Sequence, residues 1–279
     1  MTEHLSAIPN VMTIAGSDSG GGAGIQADIK AISATGSYAS SAITALTAQN
    51  TQGVSGIVAV APDFVQQQLD AVFSDINIAA VKIGMLADSH VIEAVASKLR
   101  EYRPNIVVLD PVMVATSGDL LLEPSAIASL KSELLPLATV ITPNLPEAAA
   151  LLGCAVPTNQ AEMDALIDEL RKLDTQAVLL KGGHLEQETH STDLLITADS
   201  VERLTAERVA TSNTHGTGCT LSSALASYLA QGQSLSQAVA SAKAYITDAL
   251  KQADSLAVGQ GHGPVQHFFA LHKQSETQG

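Results

Sequence analysis

Mainly apolar runs of four to seven residues recur along the chain, separated by segments whose apolar residues repeat every three to four positions. The short runs lack the polar alternation of a strand with one wet face, so they predict strands covered on both sides. They occupy residues 11–15, 41–47, 80–83, 106–109, 139–142 and 177–180. Alternation of such strands with helices predicts a three-layer α/β/α fold with a mostly parallel central sheet.

Three of the intervening segments place their apolar residues on one side of a helix. They are residues 89–102, residues 162–173, and residues 63–76 with Phe64, Leu69, Val72, Phe73 and Ile76. Residues 216–253 predict two helices with Gly232 as the stop between them, and residues 192–197 and 201–205 predict a hairpin near a sheet edge. Because no linker or repeat interrupts the pattern, we expect a single domain over residues 1–279 with its core at about 9–272.

The composition narrows the choice of partners. Of the 279 residues, 46% are hydrophobic, and the net charge is −14, which argues against a nucleic-acid partner because such a partner requires a basic face. No apolar run reaches the length of a membrane span and no signal-peptide pattern is present, so we expect a cytoplasmic protein with no membrane partner. Since an acidic chain repels phosphates, any phosphate ligand must be held locally by amides, cations or metal.

A first glycine cluster, TIAGSDSGGGAGIQAD at residues 13–28, lies between a strand and a helix. Part of it matches the spelling G-x-G-x-x-A, but the glycines follow the strand too late, and no carboxylate lies about 20 residues further on to hold a ribose. No Lys-Ser or Lys-Thr follows, so the cluster is not a P-loop. Two interpretations remain: a flexible turn, or a backbone surface for a small ligand with Asp28 facing the pocket.

A second glycine cluster, TSNTHGTGCTLSSALA at residues 211–226, begins a predicted helix. The successive amides of Gly216, Thr217, Gly218 and Cys219, with the helix dipole behind them, predict an anion-binding site rather than an ordinary glycine-rich helix start. A buried cysteine is commonly an apolar filler, whereas at a helix N-terminus the pKa of its thiol should fall. Cys219 is therefore a candidate base or polar gate.

Three more apolar strands are followed by charged or amide side chains that could bind a ligand. VVLDPVM supplies Asp110, VITPNLPEAAAL supplies Asn144 and Glu147, and AVLLKGGH supplies Lys181. Because ligands of a parallel sheet bind outside the carboxyl ends of its strands, we expect these four side chains to converge. Carboxylates suit hydrated Mg²⁺ and a lysine suits phosphate, although each residue alone is also a common cap or turn former. The histidines lack a metal-binding spacing, and His215 is interpreted as a structural loop residue.

Together these stretches resemble the ribokinase-like superfamily, and within it the bacterial hydroxymethylpyrimidine/phosphomethylpyrimidine kinases of thiamine biosynthesis. The resemblance runs from residue 13 to residue 226 through TIAGSDSGGGAGIQADIK, ITALTAQNTQGV, KIGML, VVLDPVM, ITPNLPEAAALL, LLKGGH and NTHGTGCTLSSALA. It implies phosphorylation of 4-amino-5-hydroxymethyl-2-methylpyrimidine, and then of its monophosphate, with ATP and Mg²⁺. It also implies a homodimer without a large separate lid domain.

The resemblance gives a role to each matching residue. The residues implied to contact the pyrimidine are Gln49, whose amide pairs with the ring edge, and Asp28, Gly16, Met85 and Val112. Those implied to bind ATP are Lys181, Asn144 and Thr217, and those implied to organise Mg²⁺ are Asp110 and Glu147. Those implied to act on the transferred phosphoryl group are Gly216, Thr217, Gly218, Cys219 and Lys181.

Most ribokinase-like enzymes carry an aspartate base where this chain has Cys219, whereas the pyrimidine-kinase branch characteristically has cysteine. A base role predicts that Cys219→Ala strongly lowers phosphorylation of the alcohol, while a loose transition state needs little help from a base.

Other functions remain open at this point. A pyridoxine/pyridoxal kinase shares the branch and the cysteine, but pyridoxal lacks the exocyclic amine that the amide of Gln49 could read. A non-catalytic nucleotide-binding protein on the same fold would be expected to lose Lys181, Glu147 or the glycines around Cys219. A dinucleotide oxidoreductase fits least well. Residues 115–120 and 184–192 are predicted loops that close over the site and exclude water.

Overall fold

The chain forms one nine-stranded sheet in the computed structural model, which describes residues 7–113, 124–185 and 189–273. The strands are β1 (Asn10–Asp18), β2 (Tyr38–Asn50), β3 (Gly53–Ala59), β4 (Ile78–Ile83), β5 (Val107–Leu109), β6 (Val140–Ile141), β7 (Ala177–Leu180), β8 (His190–Thr197) and β9 (Val201–Glu207). Their order is β3-β2-β1-β4-β5-β6-β7-β8-β9. The six strands from β2 to β7 in this order are parallel, and β3, β8 and β9 are antiparallel.

Helices connect the strands. They are α1 (Gly24–Ala34), α2 (Pro62–Phe73), α3 (Ser89–Tyr102), α4 (Pro124–Ser129), α5 (Leu145–Leu152), α6 (Gln160–Asp164), α7 (Ile167–Leu170), α8 (Thr217–Ala230), α9 (Leu235–Lys251) and α10 (Phe269–Lys273). Short π and 3₁₀ turns at Leu130–Leu134 and Leu135–Leu137 extend α4 towards β6, and another 3₁₀ turn, Ala253–Ser255, follows α9. Among the described residues, no helix combines the length and apolar character needed to cross a bilayer.

Two hydrophobic cores lie on opposite faces of the sheet because successive strand side chains point in opposite directions. In β1, Met12 and Ile14 face the core built with α2, α3 and α5, whereas Val11 faces the core built with α1, α8 and α9. Fully burying one such side chain stabilises the fold by about 1.5–3 kcal/mol. The layering and the mostly parallel sheet confirm the predicted fold class.

All six predicted strands and the edge hairpin are present, but several details differ from the predictions. β3 was not predicted, because most of it is exposed and it has no buried face. In α2 the buried residues are Val65 and Leu69, while Phe64 is exposed. The segment predicted as one helix at residues 162–173 divides into α6 and α7.

The strand order positions the site. The chain leaves β1 towards β2 on one side, and β4 pairs with β1 on the other, so the crossover direction reverses between β1 and β4. In such sheets ligands bind outside the carboxyl ends of the strands near this reversal. Of the two loops predicted to close over the site, residues 115–120 and residues 186–188 of the second lie outside the described residues.

Candidate active site

The first glycine cluster folds around Asp18, the last residue of β1. Its Oδ1 accepts a hydrogen bond from the amide of Gly20 at 2.7 Å, and its Oδ2 accepts from the amides of Gly22 and Ala23 at 2.9 and 2.8 Å. Burial opposes the charge of Asp18, but the hydrogen bonds from His215 and the loop amides outweigh it and lower the pKa of the carboxyl. The cluster is thus an ordered loop rather than a flexible turn.

The second glycine cluster packs directly on the first. Gly216 precedes α8 with φ of 80°, a left-handed conformation that favours glycine, and a Cβ at Gly216 would overlap the carbonyl oxygen of Gly22. His215 Nε2 lies 2.8 Å from Asp18 Oδ2, which fastens the two loops together. The structure therefore places the N-terminus of α8 against the β1–α1 loop.

The start of α8 presents fewer free amides than the sequence predicted. The N–H of Thr217 donates to the carbonyl oxygen of Thr214 at 3.2 Å, so it is not available to an anion in this conformation. Among the described residues, the N–H groups of Gly216, Gly218 and Cys219 have no acceptor. A helix N-terminus with unpaired amides is suited to binding an anionic group.

Lys181, which directly follows β7, contacts residues that follow β5 and β6. Its Nζ lies 2.9 Å from Oδ1 of Asp110 and 3.9 Å from Oε2 of Glu147. A Cβ at Gly218 would be 3.3 Å from the same Nζ, which shows how closely the start of α8 approaches the lysine. The structure thus brings Asp110, Glu147 and Lys181 to one edge of the sheet beside α8.

Asn144 lies beside this group as the N-cap of α5. Its Oδ1 accepts from the amide of Glu147, and Oε2 of Glu147 accepts from the amide of Asn144, both at 2.8 Å. This reciprocal capping box fixes the carboxylate of Glu147 at the helix start. The capping role noted from the sequence is therefore present together with the predicted convergence.

Both carboxyls are buried, and the nearby lysines separate their acidities. For Glu147, desolvation is the main cause and the nearby Asp110 adds to it, so that they outweigh the attraction of Lys181 and raise its pKa to about 7. For Asp110, burial also opposes the charge, but Lys181 and Lys82 outweigh it and lower the pKa. Around neutral pH, Asp110 is therefore ionised while Glu147 lies close to its titration point.

These two carboxylates fit a hydrated Mg²⁺ that also takes oxygens from phosphate. Among the described residues, no group of three or more histidine, cysteine, aspartate or glutamate side chains could hold a metal. Mg²⁺ in phosphoryl-transfer sites is commonly held by one or two carboxylates, with waters and substrate oxygens completing its shell. Two adjacent buried carboxylates, one of them hard to ionise, form a donor set that a divalent cation would stabilise.

Cys219 does not have the lowered pKa that its position in the sequence suggested. Desolvation raises the pKa of its thiol to about 11, and the charges of Asp28 and Asp110 add to this, while Lys82 and the amide of Gly24 oppose it. Cys219 is half-buried, and its desolvation together with the nearby carboxylates outweighs the effect of the helix N-terminus. At neutral pH the residue is a thiol, which weakens its case as a base.

Asp28 faces the protein interior rather than a pocket. Its side chain is fully buried, with Lys82 Nζ 2.8 Å from Oδ1, and the hydroxyls of Thr13 and Ser223 donate to it at 2.6 and 2.7 Å. The structure therefore does not support the prediction that Asp28 lines the substrate pocket. Burial opposes the charge of Lys82, but Asp28 and the other nearby acidic groups outweigh it and raise its pKa.

The other residues implied to contact the pyrimidine lie at neighbouring strand ends. Gln49, in β2, lies beside Thr47 and His215, and Gly16, in β1, lies against Met85, since a Cβ there would be 2.5 Å from its Cε. Val112 is half-buried beyond β5, where its amide donates to the carbonyl oxygen of Asp110. Among the described residues, neither Val112 nor Met85 hydrogen-bonds Gln49, so a shared pocket stays a prediction.

Sequence reasoning missed two groups that organise the site. Asp18 was absent from the candidates, and Lys82 sits inside a run read only as a buried strand. A lysine within an otherwise apolar strand was a usable signal, because a buried lysine requires a carboxylate partner. Asp18 offered no comparable signal, since an aspartate before glycines is common in turns.

The sequence resembles known kinases over most of its length. Residues 18–266 match the family described as phosphomethylpyrimidine kinase. The chain is 53% identical over 261 residues to the hydroxymethylpyrimidine/phosphomethylpyrimidine kinase of Escherichia coli (strain K12), with 94% of this chain and 98% of that protein covered.

Two solved structures show the same fold. Bacillus subtilis pyridoxal kinase in complex with ADP superposes with a TM-score of 0.87 at 34% identity, covering 95% of this chain and 99% of that chain. The phosphomethylpyrimidine kinase from Clostridium difficile 630 superposes with a TM-score of 0.76 at 42% identity, covering 88% of this chain and 100% of that chain.

Proposed function

Because this chain belongs to the phosphomethylpyrimidine kinase family, we propose that it phosphorylates 4-amino-5-hydroxymethyl-2-methylpyrimidine and then its monophosphate, using ATP. The relatives at about half identity are named for both steps and for thiamine biosynthesis. The observation that carries the proposal is the cluster of Lys181, Asp110 and Glu147 beside the unpaired amides at the start of α8. It combines the parts that phosphoryl transfer requires: a cation, metal-binding carboxylates and amide donors.

Each part has its own task in the proposed reaction. Lys181 donates hydrogen bonds to phosphate oxygens of ATP, with Asn144 and Thr217 beside the nucleotide. The amides of Gly218 and Cys219 donate to oxygens that gain charge during transfer. Gln49 holds the pyrimidine edge, with Gly16, Met85 and Val112 against the ring. Cys219 borders the alcohol as a neutral thiol, which is compatible with a loose transition state that needs little base assistance.

Nucleotide use is supported by the ADP complex of the Bacillus subtilis relative. Asp110 and Glu147 would hold Mg²⁺ through waters, and the bound ion would neutralise charge on the phosphates. Ionisation of Glu147 accompanies this step, because a divalent cation favours the carboxylate over the carboxylic acid.

Pyridoxal is the rival substrate, since the fold superposes well on a pyridoxal kinase. Two observations favour the pyrimidine. Identity is 53% to the Escherichia coli kinase named for the pyrimidines, against 34% to the pyridoxal kinase. The amide of Gln49 also offers a donor and an acceptor, which match the amino group and ring nitrogen of an aminopyrimidine.

We also propose that the chain acts as a homodimer of single-domain subunits in the cytoplasm. The hairpin of β2 and β3 supports the dimer, because Leu46 and Val58 face each other across the two strands and both are exposed. Exposed apolar groups clustered in this way are typical of protein interfaces.

The direct test incubates the purified protein with Mg·ATP and, separately, hydroxymethylpyrimidine, its monophosphate and pyridoxal, with products identified by mass spectrometry. We expect monophosphate and diphosphate from the two pyrimidines and little product from pyridoxal. Efficient pyridoxal phosphate formation with inert pyrimidines would refute the substrate but retain the kinase. Absence of transfer to all three compounds would refute the kinase and favour a non-catalytic nucleotide-binding protein.

A further inference from the structure

We propose that Asp18 and His215 are positioning residues that fix which way the amide of Gln49 faces, and that this orientation determines how the pyrimidine edge is recognised. This inference rests on the proposed function, because it assigns a supporting network to the residue that would bind the pyrimidine.

The first step concerns the hydrogen on His215. Oδ2 of Asp18 accepts from two loop amides and lies 2.8 Å from Nε2 of His215. Asp18 is 3% exposed, and backbone donors favour its ionised form. Because a carboxylate only accepts hydrogen bonds, Nε2 of His215 must carry a hydrogen.

The second step concerns the amide atom that faces this N–H. One polar atom of the Gln49 side-chain amide lies 3.4 Å from Nε2 of His215, assigned as nitrogen. Two donors would then face each other. The oxygen and nitrogen of an amide exchange places by a half-turn of the last torsion, so the partners decide their assignment. The one hydrogen on Nε2 points to Asp18, so Nε2 has no lone pair with which to accept from an amide N–H, and the positive N–H group favours the oxygen of Gln49 on its side.

The third step comes from the opposite end of the same amide. Oγ1 of Thr47 donates its one hydrogen to the backbone oxygen of Ser17 at 2.9 Å. The amide atom of Gln49 that lies 3.1 Å from Oγ1 must therefore donate to it, so this atom is the nitrogen. The two ends agree: the amide presents its oxygen to His215 and its nitrogen to Thr47.

A fixed amide gives the site a fixed order of donor and acceptor. After one hydrogen of the Gln49 amide is used on Thr47, its second hydrogen and the lone pairs of its oxygen remain for a ligand. An aminopyrimidine offers a ring nitrogen next to an amino group and fits this order in one orientation. A site that holds its polar groups in this way rejects a ring lacking the matching partner, because the half-buried amide of Gln49 would be covered by that ring and left unpaired.

The test is a double-mutant cycle on His215→Phe and Gln49→Ala, with steady-state constants for hydroxymethylpyrimidine and for Mg·ATP. Phenylalanine keeps a ring against Gly22 but removes the N–H. We expect His215→Phe to raise KM for the pyrimidine about tenfold and to change KM for ATP less than about twofold. In the Gln49→Ala background the same substitution should add less than about twofold, since the amide is already absent.

Two further variants complete the design. His215→Gln should restore a KM near that of the wild type, because its amide N–H can replace that of the imidazole. Thr47→Val removes the other anchor of the amide and its bond to Ser17, but it leaves the contact between Asp18 and His215 in place. It replaces His215→Phe in the cycle if that variant fails to fold. For Thr47→Val we expect a rise in pyrimidine KM that disappears in the Gln49→Ala background.

The outcomes separate the two proposals. A wild-type enzyme that does not phosphorylate the pyrimidine refutes the proposed function and this inference with it. An active wild type with additive His215→Phe and Gln49→Ala effects refutes the inference alone. So does an unchanged pyrimidine KM in His215→Phe, or an equal rise in both KM values, which indicates a role in loop structure only.

Discussion

At the scale of single residues, the charge balance around Lys181 decides both stability and chemistry. The lysine side chain lies between the carboxylates of Asp110 and Glu147, and Asp110 is almost fully buried. Removing the cation would leave two buried carboxylates that repel one another. A buried ion pair that loses one partner is strongly destabilised, because the remaining charge is uncompensated.

We therefore expect Lys181→Met to lower kcat/KM about 100–1000-fold and to lower the free energy of unfolding by about 3 kcal/mol at pH 7. Steady-state kinetics and urea unfolding measure the two effects. Lys172→Met is the matched control, since Lys172 pairs with Glu169 at an exposed position, where such pairs contribute at most about 1 kcal/mol. Near-normal kinetics in Lys181→Met would remove the lysine from the proposed phosphate site.

Glu147 gives a prediction that depends on pH. Its pKa is about 7 in the folded chain against an ordinary value of 4.5, so between these values the folded state binds more protons than the unfolded state. Stability contributed by the protonated carboxyl is therefore full below about pH 4.5, falls as pH rises to about 7, and stays low above.

Glu147→Gln removes this titration while keeping an oxygen for the helix cap. As pH rises from 5 to 8, the wild type should lose roughly 2–3 kcal/mol of unfolding free energy that the variant does not lose. Denaturant titrations at the two pH values measure the difference, and other titrating groups cancel between the proteins. A constant difference across this range would show that Glu147 has an ordinary pKa.

The two cysteines provide an internal comparison for the thiol at the start of α8. Cys154 is exposed, whereas the pKa of Cys219 is raised to about 11, so roughly one Cys219 in a thousand is a thiolate at pH 8. We expect iodoacetamide to modify Cys154 at least about tenfold faster than Cys219, measured by peptide mass mapping over time. Faster labelling of Cys219 would restore the lowered pKa expected from its helix position.

At the scale of elements, the start of α8 depends on a glycine that serves two purposes. Gly216 has φ of 80° and also leaves room for the carbonyl of Gly22, whereas Gly232 has φ of 87° with open space where a Cβ would lie. A side chain at Gly232 would therefore cause backbone strain alone, whereas one at Gly216 would cause both strain and steric overlap.

We expect Gly232→Ala to lower the free energy of unfolding by about 1 kcal/mol, the cost of a left-handed conformation. Gly216→Ala should lower it by about 3 kcal/mol, since the loop must also move, and should reduce kcat/KM for the proposed reaction. Unfolding curves of both variants give the comparison. Equal losses would mean that the two glycine loops are not held in contact.

The elements also show what the sequence could predict. Buried strands such as β1 and β7 are recognisable because both faces are covered and their central residues are mainly apolar. β3 escapes this reasoning because hydrogen bonds to β2, rather than a buried face, define it. The carboxyl ends of β5, β6 and β7 predicted the convergence of Asp110, Glu147 and Lys181, since topology alone brings those ends together.

The rest of the site depends on contacts between distant segments. The burial of Asp28 requires Lys82 from β4 and Ser223 from α8. The raised pKa of Cys219 likewise follows from neighbours on several elements. The sequence pattern predicts where helices begin and where strands end. It does not predict how far three packed elements remove one side chain from water, and this desolvation shifts the pKa.

At the scale of the whole molecule, the hairpin of β2 and β3 is the place to test self-association. Val58 is 67% exposed on this hairpin, and Phe64, on α2, is 55% exposed. We expect Val58→Lys to convert a particle of twice 28.7 kDa into a monomer, as measured by light scattering after size exclusion, while Phe64→Lys leaves the dimer intact. A wild type that elutes as a monomer would contradict the proposed dimer.

The contact between the two glycine loops has a consequence for how the molecule is made. Asp18 and His215 are 197 residues apart in the chain, so at ordinary synthesis rates about 10–40 s separate their appearance from the ribosome. During that interval the first loop lacks its contact with His215. A chain that stalls before His215 therefore cannot complete the site and cannot be stabilised by bound substrate, so ligand-dependent resistance to proteases should distinguish complete molecules from stalled ones.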